Sequence, residues 1–166
     1  MQSARARWGS LLFTVVVPGT VAGLVPFLIS RWRIEHDLHP EGVLQLIGVL
    51  LIFAGLPVLL AAVYRFATDG RGTPAPIAPT EQLVLGGPNR FVRNPMYLSV
   101  VLLIIGQAFL FGNSHVLWYG VLVAAVQALF VRFYEEPALH RRFGADYDRY
   151  RAGVPAWIPR RTPWQP

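Results

Sequence analysis

The sequence predicts an all-α integral membrane protein: four transmembrane helices, the last two forming a C-terminal helical hairpin, with a long cytoplasmic loop and an amphipathic cytoplasmic tail. Three observations lead there. Of 166 residues, 54% are hydrophobic and 14% charged, whereas a soluble domain carries about a quarter charged residues. Apolar residues gather in four stretches, at 11–29, 42–64, 96–111 and 116–131. The basic residues, all fifteen of them arginine, fall almost entirely to one side of those stretches.

Composition also excludes several classes. The apolar content rules out intrinsic disorder. The absence of cysteine removes disulfides, thiol nucleophiles and cysteine-ligated metal centres. A net charge of +6 would suggest nucleic acid in a soluble protein; with most of the surface facing lipid, the anionic inner leaflet is the expected partner and nucleic acid is not.

The first stretch follows Arg5 and Arg7, as a signal peptide would. It is longer than the usual 7–15 apolar residues and no small-residue cleavage site precedes Arg31, so an anchor helix is expected over 11–29, interrupted by Pro18 and Pro26. Gly19 and Gly23 form a GxxxG pair that suits close packing on a neighbouring helix or, alternatively, a homodimer face. The second stretch, 42–64, is long enough to span, since about 20 residues suffice. The last two are shorter. Asn94-Pro95 extends one, giving 95–111, because asparagine is a preferred N-cap and proline suits the first helical position. Arg132-Phe133-Tyr134 extends the other to 116–134 if the arginine snorkels to the headgroups. Only residues 112–115 join the two, so they form a tight antiparallel pair.

Thirteen arginines lie on the N-terminal tail, the 65–94 loop and the tail from Arg132 onward, against two between the first two helices. The arginine-rich side is cytoplasmic, which puts both termini in the cytosol and the protein in the cell membrane. The loop begins with a Pro/Gly-rich run, residues 69–79, expected to be extended, then a short extended run, Leu83 to Pro88, that ends in a turn. In the tail, Leu139, Phe143, Tyr147 and Tyr150 make one apolar stripe, with Gly144 breaking or bending the helix. Residues 154–159 form an apolar hook carrying Trp157.

A short hairpin loop forces the segments 90–97 and 132–137 together. Arg90, Arg93, a helix N-terminus, Tyr97, Tyr134, Glu135 and Glu136 then meet at the membrane surface, where acids are costly unless paired or functional. Arg132 stands three and four residues before the two acids, so an ion pair within the helix is expected, and Arg93 can take the other acid as a plain hairpin clamp. Adjacent residues diverge by about 100° around a helix, so one glutamate should face a ligand and one an arginine. Gln107 and Gln127 are expected to hydrogen-bond across the hairpin. His36, His39 and His115 show no partners at ligand spacing, so no metal site is expected; His140 with Arg141 and Arg142 reads as a headgroup-facing surface.

Gly87-Pro88-Asn89-Arg90-Phe91-Val92-Arg93-Asn94-Pro95-Met96-Tyr97, then a hairpin, Glu135-Glu136, Phe143-Gly144, Tyr147 and Tyr150 resemble the superfamily of isoprenylcysteine carboxyl methyltransferases and phospholipid methyltransferases. Gly70 to Pro74 resembles the preceding loop of bacterial members, and the resemblance covers residues 69–160, over half the chain. It implies S-adenosylmethionine as cofactor, S-adenosylhomocysteine as product, and a lipophilic acceptor, small molecule or lipid. Carried over to this chain, the cofactor-binding residues are Gly87, Pro88, Arg90, Arg93, Asn94, Pro95, Tyr97, Tyr134, Glu135 and Glu136, with Arg141 a candidate catalytic residue on the substrate side and Arg142 its alternative. Arg93 and the helix N-terminus would take the cofactor's carboxylate, a glutamate its ammonium or ribose hydroxyls, and the tyrosines its adenine or sulfonium. Asn89 replaces the family tyrosine and Asn94 the family histidine; asparagine still hydrogen-bonds but cannot titrate near neutral pH. Two other functions fit parts of the pattern: a non-enzymatic membrane scaffold in which the acids only staple helices, and a NADPH-dependent sterol-type reductase, whose C-terminal region is similar.

Overall fold

In a computed structural model, residues 16–69 and 83–165 are described, and every regular element among them is helical. Helix α1 (Val16–Ser30) carries a π-helical turn at Thr20–Leu24. Helix α2 (Glu41–Asp69) is followed, beyond residues 70–82, by a 3-10 turn at Gly87–Arg90 and helix α3 (Pro95–Phe111). Helix α4 (Ser114–Phe130) runs through a π-helical turn at Val131–Glu135 into α5 (Glu136–Phe143), and α6 (Ala145–Gly153) follows. The Pro/Gly-rich loop expected over 69–79 and the Gly70 to Pro74 motif fall, Asp69 apart, outside the described residues.

Two helical segments, Gly42–Arg65 and Ser114–Phe143, are long and apolar enough to cross a membrane, while Val16–Ser30 and Pro95–Phe111 are shorter apolar helices. A core helix of a soluble protein would be covered, yet only 17% of each long apolar window is buried. Phe53, Trp118 and Phe133 are each more than 70% exposed, and Leu46, Leu50, Leu60, Leu122 and Leu129 also point outward. Such a surface belongs in lipid.

The closest helix contact is between α2 and α3. A Cβ on Gly48 would lie 2.6 Å from the Gly106 carbonyl oxygen, and one on Gly55 would lie 3.2 Å from that of Ser99. The glycines expected to pack closely do not: a Cβ on Gly19 or Gly23 would meet nothing within 4 Å. The α2–α3 glycines lack the four-residue spacing that draws attention in a sequence.

Both π turns precede a proline by one residue, Val25-Pro26 in α1 and Glu136-Pro137 after α4. Proline has no N–H for the carbonyl four residues back and its ring crowds that carbonyl, so the chain widens by one residue per turn instead of breaking. In α1 the carbonyls this frees find partners on the hairpin. Gln107 Nε2 donates to the Ala22 oxygen at 2.6 Å, and the Tyr119 hydroxyl to the Val21 oxygen at 3.0 Å. Neighbouring side chains commonly re-satisfy a proline-bent membrane helix in this way. Gln107 is therefore committed to α1 and does not pair with Gln127, whose Oε1 is buried without a partner.

The same device corrects two further expectations. The fourth helix does not end at residue 134; it starts at Ser114 and continues to Phe143, because the π turn absorbs Pro137. Helix α2 runs on to Asp69 rather than ending at residue 64, since no glycine or proline intervenes before Gly70. The hairpin link shortens to Gly112 and Asn113: Gly112 adopts φ +64°, a left-handed C-cap, and the Asn113 side chain accepts from the Val116 N–H at 2.9 Å.

Gly144, with φ +51°, separates α5 from α6 and folds the apolar stripe back. Tyr147, Tyr150 and Val154 become a second small core with Leu83, Leu85, Leu139, Phe143 and Trp164.

Candidate active site

The 3-10 turn and the start of α3 are held by the chain's end rather than by a cap. Asn94 occupies the N-cap position, but its side chain makes no cap hydrogen bond; its Nδ2 donates instead to the Ala156 carbonyl at 3.1 Å. The Arg93 N–H donates to the Pro155 oxygen at 2.9 Å, and the Arg160 N–H to the Phe91 oxygen at 2.9 Å. Arg90 pairs twice with Trp164: its oxygen accepts from the Trp164 N–H at 2.8 Å and its Nε donates to the Trp164 oxygen at 2.8 Å. The apolar hook thus acts as a strap across the turn, with Ile158 standing clear, 78% exposed.

Beneath the strap sits the ion-pair centre. Arg93 Nη1 lies 2.9 Å from Glu136 Oε1 and donates to the Tyr147 hydroxyl at 3.1 Å. Glu136 is buried, and its other oxygen lies 3.5 Å from Arg132 Nη1 and 3.4 Å from Arg151 Nη2. Arg93 and Arg132 therefore converge on one acid instead of dividing between two. The Tyr150 hydroxyl donates to the Asn89 carbonyl at 2.7 Å. Burial raises the pKa of both Tyr147 and Tyr150, so they stay protonated donors.

Glu135 takes the opposite environment. It reaches toward the Tyr97 hydroxyl, and its Oε2 is buried without a hydrogen-bond partner among the described residues. Arg93 Nε and Asn89 Oδ1 are also buried without a hydrogen-bond partner among the described residues. An orphaned buried polar atom in lipid-facing protein costs several kcal/mol by rough estimate, and a ligand's polar groups can supply the missing partners.

The structure joins Arg90, Arg93, Asn94, Pro95, Tyr97, Glu135 and Glu136 in this one region, with Gly87 (φ +57°) and Pro88 forming the 3-10 turn above it. Tyr134 points outward, half exposed and stacked on Phe130 at 5.0 Å. Arg141 and Arg142 are exposed on α5, and the Arg142 guanidinium lies over the Phe143 ring. Sequence reasoning missed Arg151, Trp164 and the 155–164 strap. Arg151 stands four residues beyond Tyr147, a helical spacing that could have placed it beside the same acid. Nothing local marks Trp164, whose ring packs on Tyr150 at 5.5 Å.

The α3–α4 link brings His115, which has no partner at ligand spacing in the sequence, beside Glu35 and Asp37, with ligand atoms of all three within 4.8 Å of one another. The separation in sequence, about eighty residues, hid this.

Among known proteins, the sequence model described as phospholipid methyltransferase matches residues 43–146, more than half of the chain. No curated protein and no solved structure matches it.

Proposed function

The chain belongs to the phospholipid methyltransferase family, and we propose that it transfers a methyl group from S-adenosylmethionine to a lipophilic acceptor at the cytoplasmic boundary of the cell membrane. The observation that carries this reading is the buried, partnerless Oε2 of Glu135 beside Tyr97, set against a neighbouring acid that is fully paired.

The orphaned atoms fit the cofactor's polar groups by type. Two acceptors, Glu135 Oε2 and Asn89 Oδ1, await donors, which an ammonium, ribose hydroxyls or the adenine amine can be. One cationic donor, Arg93 Nε, awaits an acceptor, which a carboxylate can be. When bound, S-adenosylmethionine supplies an electrophilic methyl group on a cationic sulfur. This chain's contribution is then positional: Glu135, Tyr97 and Arg93 hold and orient, while the strap and the α6 core exclude water above them. In an in-line displacement such alignment provides much of the acceleration.

Glu136 has the structural task, clamping α3, the π turn and α6 through Arg93, Arg132 and Arg151. The clamp that a scaffold protein would need is thus present in one acid and accounts for nothing about the other. Four spans, with both termini and the 65–94 loop cytoplasmic, follow from the arginine distribution and would present this end to the cytosolic cofactor pool. The acceptor would arrive laterally through the bilayer, its apolar part among the helices. Self-association through Gly19 and Gly23 is compatible with the open space beside both.

The test is thermal unfolding of the detergent-solubilised protein with S-adenosylmethionine or S-adenosylhomocysteine, followed by transfer of a labelled methyl group into a lipid extract. Stabilisation and a labelled lipid-phase product are expected. No stabilisation by either nucleotide would overturn the reading.

A further inference from the structure

At the end of the hairpin remote from Glu135, Glu35, Asp37 and His115 converge, and we propose that they bind a divalent transition-metal ion, zinc or manganese, with water completing its coordination. Their ligand atoms lie within 4.8 Å of one another, a spacing that one ion can bridge, and each comes from a segment whose backbone is fixed. The Glu35 N–H donates to the Phe111 oxygen at 2.7 Å and the Asp37 N–H to the Gly112 oxygen at 3.2 Å, so the loop after α1 is laced to the hairpin link. Gly112 is required there twice over: its φ is +64°, and a Cβ would collide with the Glu35 backbone carbonyl oxygen.

Each acid receives a neutral donor: Asn113 Nδ2 to Glu35 Oε2 at 2.7 Å, and Ser114 Oγ to Asp37 Oδ2 at 2.8 Å. One oxygen of each carboxylate is thereby oriented, the role that outer-shell partners play around a metal. Two carboxylates and an imidazole suit zinc or manganese; an imidazole nitrogen disfavours calcium and magnesium, which prefer oxygen. The ion would join the loop to the hairpin at the face opposite the methyl-transfer site, so this binding does not depend on that activity.

The experiment is titration of tag-free, chelator-treated protein in detergent with Zn²⁺ and, separately, Mn²⁺, read by calorimetry and thermal unfolding. One ion per chain is expected, with stabilisation. His115→Ala, Asp37→Asn and Glu35→Gln should each weaken binding by about tenfold or more. His140→Ala is the control, since His140 pairs with Asp148 at 2.9 Å on α5 and α6 and offers a competing site. Loss of binding in His140→Ala, retention in His115→Ala, or no binding of either ion would overturn the proposal.

Discussion

Arg93 Nη1 lies 2.9 Å from Oε1 of Glu136, with both side chains about nine-tenths buried. This pair joins the start of α3 to the start of α5, and Arg132 and Arg151 complete it from the π turn and α6. Removing one partner of a buried pair leaves an uncompensated charge, at a cost of about 3–5 kcal/mol. Glu136→Ala and Arg93→Ala should therefore lower the unfolding midpoint in detergent steeply. Arg132→Ala, whose side chain is 66% exposed, should lower it far less.

Glu135→Gln should separate binding from stability. Its Oε2 has no protein partner to lose, so the unfolding midpoint without ligand should move little. Binding of S-adenosylhomocysteine should weaken by about tenfold or more, the loss of one charge-assisted hydrogen bond. Equal binding by Glu135→Gln and the parent in calorimetry would remove Glu135 from the site.

A chain ending at Val154 loses the strap. The Arg93 amide then has no Pro155 carbonyl to bond and Asn94 Nδ2 no Ala156 carbonyl. Hydrogen exchange at Arg93 should quicken by about tenfold or more, while the hairpin interior at Ile104 and Ala108 keeps its protection. Trp164→Ala should produce a smaller change in the same direction.

Gly106→Ala should cost about 1–3 kcal/mol by overpacking, because its Cβ would sit 2.8 Å from Ile52 Cγ1 and 2.9 Å from the Gly48 oxygen. Gly19→Ala, facing open space, should leave the unfolding midpoint almost unchanged. Comparing the two in one detergent checks which helix pair is in close contact.

What could be read in advance was local. Asn94-Pro95 marks a helix start, Gly144 a break, and the stripe from Leu139 to Tyr150 a packed face, because each depends on residues within a turn or two. The coming together of the 90–97 and 132–137 segments followed from the brevity of the hairpin link. What could not be read was set by partners distant in sequence. Gln107 bonds α1 because Pro26 freed the Ala22 carbonyl. Arg90 serves Trp164, seventy-four residues on. Glu136 gathers Arg93, Arg132 and Arg151 because the π turn carries the helix on past Pro137 rather than ending it at residue 134. A proline reads as a stop only while the turn before it is assumed to be α-helical.

The unbroken rod from Ser114 to Phe143 also acts as a ruler. Thirty residues at helical rise measure ~45 Å, longer than the ~30 Å of hydrocarbon in a bilayer. From Ser114 to Glu135 is ~32 Å along the axis by the same rise, about one hydrocarbon thickness. Were its first turn anchored at one surface, the rod would set the Glu135 carboxylate at the other, and membrane thickness would become a variable of the proposed reaction. Thicker bilayers should draw this carboxylate into hydrocarbon, and thinner ones should leave it in water.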